Sequence, residues 1–366
     1  MVPGFPFSRF LKIISQNGGL SARGILHSIP WLTKTILLEP IRWIEQAKYR
    51  NAIADQQLAK DPVFILGHYR SGTTFLQRMF IQDKRFGYTS IFQTVLPEIM
   101  LTTEKALTPF LDKFCRTFRI RNPFHRIIME WKEFPGEEDV GMTALLRYTG
   151  SQWGQLFPRS YEQYFDDYVL LQQPDQVENW KEDYLYFLKK VSLQNKDKAL
   201  VLKNPPNTAR IKVLLELFPN AKFIHISRNP FEVFSSTRRL LMVIDRHYRV
   251  GQKSKKSMEE LILYSYAAIM DQYLTQKHLI PEQNLVEIAY EDFIQDPVNA
   301  MRLIYERLGL FEFNSCEPAM IEFANQQKEY KKLNHQLDNE TLRLIEQNWA
   351  RHIEYWQSLK TVDVKL

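Results

Sequence analysis

Val63-Phe64-Ile65-Leu66-Gly67-His68-Tyr69-Arg70-Ser71-Gly72-Thr73-Thr74-Phe75-Leu76 is the stretch that decides how the chain folds. Four apolar residues without polar interruption read as a strand buried on both faces, and Phe75, Leu76, Met79 and Phe80 carry a helical repeat after the glycines. Between strand and helix, a loop bounded by glycines can aim successive backbone N–H groups at one point. The helix N-terminus adds partial positive charge there, which makes a cradle for a phosphate-like anion. The spacing matches GxxxxGK[ST] except that Thr73 stands where lysine would be. That lysine stabilises β- and γ-phosphate charge, so its loss suits a ligand with a single phosphate at this end. Arg70 and the hydroxyls of Ser71, Thr73 and Thr74 remain as donors. A plainer reading, in which Gly72 only permits a tight turn, is disfavoured by the strand and helix on either side.

Further strand runs at Ala199 to Leu202, Phe223 to Ile226 and Leu285 to Ala289 each precede a helical pattern. The alternation predicts an α/β fold: a P-loop-type parallel sheet flanked by helices. Ile211, Leu214, Leu215 and Phe218 fall at i, i+3, i+4 and i+7, with Asn207 as a helix cap and Pro219-Asn220 as a stop. Pro230 suits a first helical turn. Residues 87–198 lack clear strands and are rich in aromatics, so they read as a helical insertion shaping an acceptor pocket. The expected organisation is an N-terminal helical segment over 1–58, the α/β domain over 59–312 and a C-terminal helical extension over 313–366.

A second anion site follows from Arg228, just past a strand end, and from Ser236, two turns into the next helix, while Lys203 stands at the carboxyl end of the strand before them. Ligands of open α/β sheets bind beyond the carboxyl ends of the strands, so cations there face the same crevice as the phosphate loop. With both loops in view, the chain resembles the PAPS-dependent sulfotransferase family, in its bacterial-type and tyrosylprotein branches, over roughly residues 60 to 310. The resemblance implies that the donor is 3′-phosphoadenosine 5′-phosphosulfate (PAPS) and that Arg70, Ser71, Gly72, Thr73 and Thr74 bind its 5′-phosphosulfate. It implies that Arg228 and Ser236, eight residues apart, bind the 3′-phosphate, that Tyr290 approaches the nucleotide, and that Lys203 sits beside the departing phosphate. The implied reaction moves a sulfuryl group onto an acceptor hydroxyl or amine, without a metal. Taken singly, Arg228 reads more readily as a surface partner of Glu232 and Ser236 as a solvent-facing helix residue; as a pair after a phosphate loop that lacks lysine, they favour the functional reading.

The general base is less sharply marked. Pro135-Gly136-Glu137-Glu138-Asp139 precedes an apolar-periodic stretch and resembles an acidic motif of bacterial-type relatives, which makes Glu138 the first candidate and Glu137 the second. Acidic residues in a first helical turn also simply favour the helix dipole. His125 is a rival, and in other branches the base follows the P-loop helix, near Gln93 and Glu98 here. The aromatics Trp131, Trp153, Phe157, Tyr161 and Tyr164 suit a ring-bearing pocket or, more plainly, a packed helical core.

Composition bounds the alternatives. With 366 residues, 45% hydrophobic and 25% charged, the chain can bury a sizeable core. The net charge of +6 is spread along the chain, which speaks against nucleic acid as a partner. Cys115 and Cys316 are the two cysteines, with no CxxC or Cys/His cluster, so a reducing, cytoplasmic setting is expected. Between residues 5 and 50, aromatic and aliphatic residues interleave with Arg9, Lys12, Lys34, Arg42 and Lys48. That pattern fits either a packed helical layer or peripheral contact with a membrane, and Glu39 and Glu45 favour the former. The rival functions are a P-loop nucleotide kinase and a non-catalytic nucleotide-binding adaptor at a membrane surface.

Overall fold

The aliphatic runs that predict strands form them in the computed structural model, which describes residues 6–58, 60–124, 127–196, 198–327 and 337–361. β1 is Val63–Leu66, β2 Phe86–Gly87, β3 Ala199–Lys203, β4 Lys222–Ser227 and β5 Leu285–Ala289. All pair in parallel in the order β2-β3-β1-β4-β5, the α/β architecture expected. Every residue of β1 and β3 is buried, which is why Val63–Leu66 and residues 199–202 are continuous apolar runs and not alternating ones, β3 ending on the buried Lys203. The two-residue edge strand β2 went unrecognised because it is too short to show a period.

Two compact units divide the chain. One contains residues 59–88, 198–239 and 258–366, including the whole sheet. On one sheet face Val63, Ile65, Val201, Ile224 and Ile226 pack with Leu76, Phe80, Met301, Ile304 and Tyr305. On the other, Phe64 stacks on Phe223 at 5.4 Å and His225 stacks on Tyr273 at 3.7 Å. His225 Nδ1 lies 3.0 Å from Tyr355 Oη, while Tyr273 and Tyr355 both donate to Glu287 Oε1 at 2.6 Å.

The central strand β1 is flanked by β3 and β4, and the chain leaves β1 toward one sheet edge and β4 toward the other. The crevice outside the carboxyl ends of β1 and β4 is therefore the topological switch point. Asn207 does not cap the next helix as expected. It lies inside a 3₁₀ turn, Pro205–Ala209, where its Oδ1 accepts from Arg210 Nη1 at 3.2 Å, and the helix Ile211–Leu217 begins after Arg210. The prolines at 205 and 206 start a turn of their own, so the polar side chains after β3 serve that turn and the crevice.

The other unit contains residues 1–58, 89–197 and 240–257 and has no sheet strand among the described residues. Its core gathers Phe10, Ile13, Trp153, Leu156, Phe157 and Val250, so several aromatics weighed above as pocket walls are core. Lys190 Nζ and Glu45 Oε1 form a buried ion pair at 2.7 Å, and Glu45 Oε2 also accepts from Thr102 N at 2.9 Å.

Burial holds two imidazoles neutral: it lowers His68 to about 4 and His225 to about 3 from an ordinary 6.5. The unfolded chain therefore takes up protons below pH 6.5 that the folded chain refuses, so stability is complete above that pH and declines as pH falls toward 4 and then 3. Urea midpoints measured across this range should fall accordingly, and His225→Phe should flatten part of the slope. A midpoint constant from pH 7 to 4 would contradict the neutral, buried rings.

Candidate active site

Two glycines shape the loop after β1. Gly67 has φ +141° and a Cβ there would meet Ile226 O at 2.6 Å; Gly72 has φ +97° and its Cβ would meet Tyr290 Cδ2 at 2.3 Å. Both positions combine a left-handed backbone with close approach, which only glycine tolerates. Arg70 also takes a positive φ of 70°, which turns the loop back on itself before the helix Thr73–Phe80. Gly72 offers that helix no side-chain cap, so its first N–H groups face the loop. Ser71 and Thr73 are buried in the cradle, and Gly67 N donates to Thr208 Oγ1 at 2.8 Å, tying the loop to the turn after β3. Neutral His68, its ring 4.9 Å from that of Tyr266, packs the loop without adding charge.

The residues expected at the second anion site meet this loop. Arg70 Nε donates to Ser236 Oγ at 2.9 Å, and Arg228 Nη1 donates to Arg70 O at 3.1 Å. The Arg228 guanidinium lies over the Tyr290 ring at 4.4 Å. Its Nε and Nη2 donate to Glu232 Oε2 at 3.1 and 2.8 Å, so the plain ion pair weighed for Arg228 is present as well. Ser236 is half-buried and bonded, not a free surface residue. Glu291, which sequence reasoning missed, accepts from Asn229 N and from Trp356 Nε1, both at 3.0 Å, and so clamps the loop after β4 to the helix after β5.

Lys203 ends β3, only 2% exposed, with its Cα opposite Ile65, two residues before Gly67. The polar residues that follow, Asn204, Asn207 and Thr208, are wholly buried. Such a run directly after a strand was the available signal for Thr208, and it was read as a helix cap instead. Thr74, half-buried, completes the first turn of the helix. One unit thus brings together Arg70, Ser71, Gly72, Thr73, Thr74, Lys203, Arg228, Ser236 and Tyr290.

The acidic run belongs to the other unit. Glu137 precedes the helix Glu138–Ala144, and Glu138 and Asp139 are fully buried, with Ser151 Oγ donating to Asp139. Pro135 bridges to Ser90, and Gly136 N donates to Thr89 O at 2.8 Å, which fixes the start of the run. Gln93 forms a capping box with Ser90 and donates to Glu104 Oε2 at 2.9 Å; Glu98 pairs with Lys34 at 3.1 Å. Glu104 was missed: it is buried, burial pushes its carboxyl up, and Ser90 and Gln93 both donate to it. His125 lies outside the described residues. Among the described residues no cluster of His, Cys, Asp or Glu is arranged to hold a metal ion.

Residues 62–314 match the model of a family described as the sulfotransferase family. Two curated relatives, the omega-hydroxy-beta-dihydromenaquinone-9 sulfotransferases Stf3 of Mycobacterium bovis and Mycobacterium tuberculosis, are each 29% identical over 304 residues, 82% of this chain and 76% of theirs. The fold is similar to that of sulfotransferase STF9 from Mycobacterium avium, with TM-score 0.69 and 19% identity over 89% of this chain and 82% of that one. It is also similar to that of STF1 from Mycobacterium tuberculosis H37Rv, with TM-score 0.67 and 18% identity over 94% of this chain and 90% of that one.

Gly72→Ala forces both an unfavourable φ and a collision with Tyr290, and should lower stability by about 1–3 kcal/mol in urea unfolding. Adding Tyr290→Ala should recover the steric share and leave the backbone share. Full stability in Gly72→Ala alone would refute the tight contact.

Proposed function

The chain belongs to the sulfotransferase family and transfers sulfuryl groups, and from that premise we propose that PAPS lies across the crevice at the ends of β1, β4 and β5. One observation carries the proposal: Arg70, Ser236, Arg228 and Tyr290 form a continuous chain of contacts ending on the glycine that opens the phosphate-loop helix. Two groups of donors that close suit one ligand with two separate anionic ends. The loop N–H groups and the hydroxyls of Ser71, Thr73 and Thr74 would take the 5′ end, and Arg228 with Ser236 the 3′-phosphate.

The donor supplies an activated sulfuryl group whose S–O bond to the phosphate breaks as the acceptor oxygen bonds to sulfur, the electron pair passing to the phosphate oxygen. Lys203 would hold its ammonium group where that negative charge grows, an effect strengthened by burial in a water-poor site. Glu138, or Glu137 one residue earlier, would take the acceptor's proton. Orientation does most of the remaining work, as in phosphoryl transfer. For the acceptor we propose a terminal hydroxyl on a long apolar molecule, by analogy with the substrate in the names of the mycobacterial relatives.

Adenosine 3′,5′-bisphosphate should raise the melting temperature well above what 5′-AMP or ATP with Mg²⁺ achieves, and Arg228→Ala should abolish that preference. A preference for ATP would overturn the donor assignment. Lys203→Ala should cut kcat by about 10²–10³ and Glu138→Gln by about 10²–10⁴, with bisphosphate binding retained. Unchanged turnover in either variant would remove that residue from its role. Transfer from PAPS to a hydroxylated isoprenoid quinone, compared with a simple phenol and a sugar, tests the acceptor class; turnover confined to the phenol or sugar would refute it.

A further inference from the structure

Three helices of the unit without a sheet face the wrong way for a freely soluble surface. The helix Met100–Thr117 buries Met100, Glu104, Thr108 and Cys115 and exposes Leu107, Phe110 and Phe114, the stripe running on to the capping residue Phe118. Phe110 is 66% exposed and Phe118 65%, and these four residues fall within about 80° of arc at 100° per residue. The helix Ala22–Leu37 buries Gly24, Ser28 and Thr35 and exposes Ile25, Leu26, Ile29, Ile36 and Leu37. In Glu39–Asp55 the inversion involves charge: Arg42 and Glu45 are buried, whereas Trp43 and Ile44 are more than half exposed. Their inner sides explain the arrangement. A Cβ on Gly24 would meet Val250 O at 1.6 Å, so that helix must turn small residues inward, and Glu45 is committed to Lys190 and Thr102.

Charge names the occupant of the outer faces. The cations Arg23, Lys48, Arg50, Lys105, Lys113 and Arg116 on these three helices are all exposed, against Asp55 as the single exposed carboxylate among their described residues. Long basic side chains can keep their heads in water or at headgroups while apolar neighbours sink. A soluble partner with an apolar face would not require that excess of positive charge, whereas a bilayer carrying anionic lipid matches both features at once. We propose that these outward faces, led by the Leu107–Phe110–Phe114–Phe118 stripe, dock the protein peripherally on an anionic lipid surface. The proposal extends past the N-terminal residues flagged in the sequence to a helix beyond them, and it is independent of the reaction, since it concerns adhesion and not turnover.

The test uses the full chain and vesicles of phosphatidylcholine with about one-third phosphatidylglycerol, beside pure phosphatidylcholine. Wild type should sediment with the anionic vesicles, more weakly at high salt. The triple variant F110S/F114S/F118S should lose at least about tenfold in binding, and K113E/R116E should lose binding to the anionic vesicles specifically. All five positions are exposed, so melting temperature and PAPS turnover with a water-soluble acceptor should stay at wild-type level in both variants. Failure of wild type to bind anionic vesicles, or undiminished binding by the triple variant, overturns the proposal. So does light scattering that shows a dimer dissociated by the same three substitutions, because a second copy would then be the occupant.

Discussion

Everything at the crevice depends on how closely the ends of β1, β4 and β5 approach one another. Tyr290, first residue after β5, lies so near Gly72 that one extra carbon there has no room. The same ring carries the Arg228 guanidinium from β4, and Arg228 in turn holds the carbonyl of Arg70 from the β1 loop. Parallel pairing enforces this, since a register matching Leu66 with His225 and Ser227 with Ala289 sends three loops out of the same sheet edge.

The resulting site is pre-ordered. Arg228 has its Nε and Nη2 on Glu232 and its Nη1 on a backbone carbonyl, so its long side chain has little rotamer freedom left to lose to the anion proposed to bind it. The ion pair and the proposed anion contact of Arg228 are therefore compatible: Glu232 orients the guanidinium that would meet the anion.

How much of this was legible follows from what each residue contacts. The main strands were readable because burial concentrates aliphatic residues in short runs such as Val63 to Leu66, interrupted only by His225 in β4 and Glu287 in β5. The phosphate loop was readable because its glycines and its flanking strand and helix sit within one short stretch. Pairing Arg228, which precedes the helix, with Ser236, which lies within it, came from the family resemblance, whose eight-residue spacing the two reproduce. By contrast, Glu291 and Thr208 act across the sheet, on Trp356 and Gly67 respectively, and no local pattern carries such a link. Asn207 was misread because an asparagine four residues before an apolar period is a good cap signal, and Pro205-Pro206 as a separate turn overrode it. The acidic run stayed ambiguous for a related reason: Glu138 and Asp139 do begin a helix, where any carboxylate is favourable, and sequence cannot tell that they are wholly buried.

The helices on either side of Leu38 show the deepest limit. Periodicity reveals that a helix has an apolar side but not that this side is the buried one. For Ala22–Leu37 the answer is set by backbone proximity at Gly24, where Val250 O lies against the helix and excludes an isoleucine or leucine. For Glu39–Asp55 it is set by an ion pair with Lys190, far away in sequence, whose two buried charges need each other more than Trp43 and Ile44 need a core. Breaking that pair by removing one partner would strand a charge in the interior, so the polar side is locked inward and the apolar side is left to the surroundings. The two readings open for residues 5 to 50, a packed layer and a lipid-facing one, therefore do not compete: the same helices can pack through their small and charged residues and offer their aliphatic ones outward.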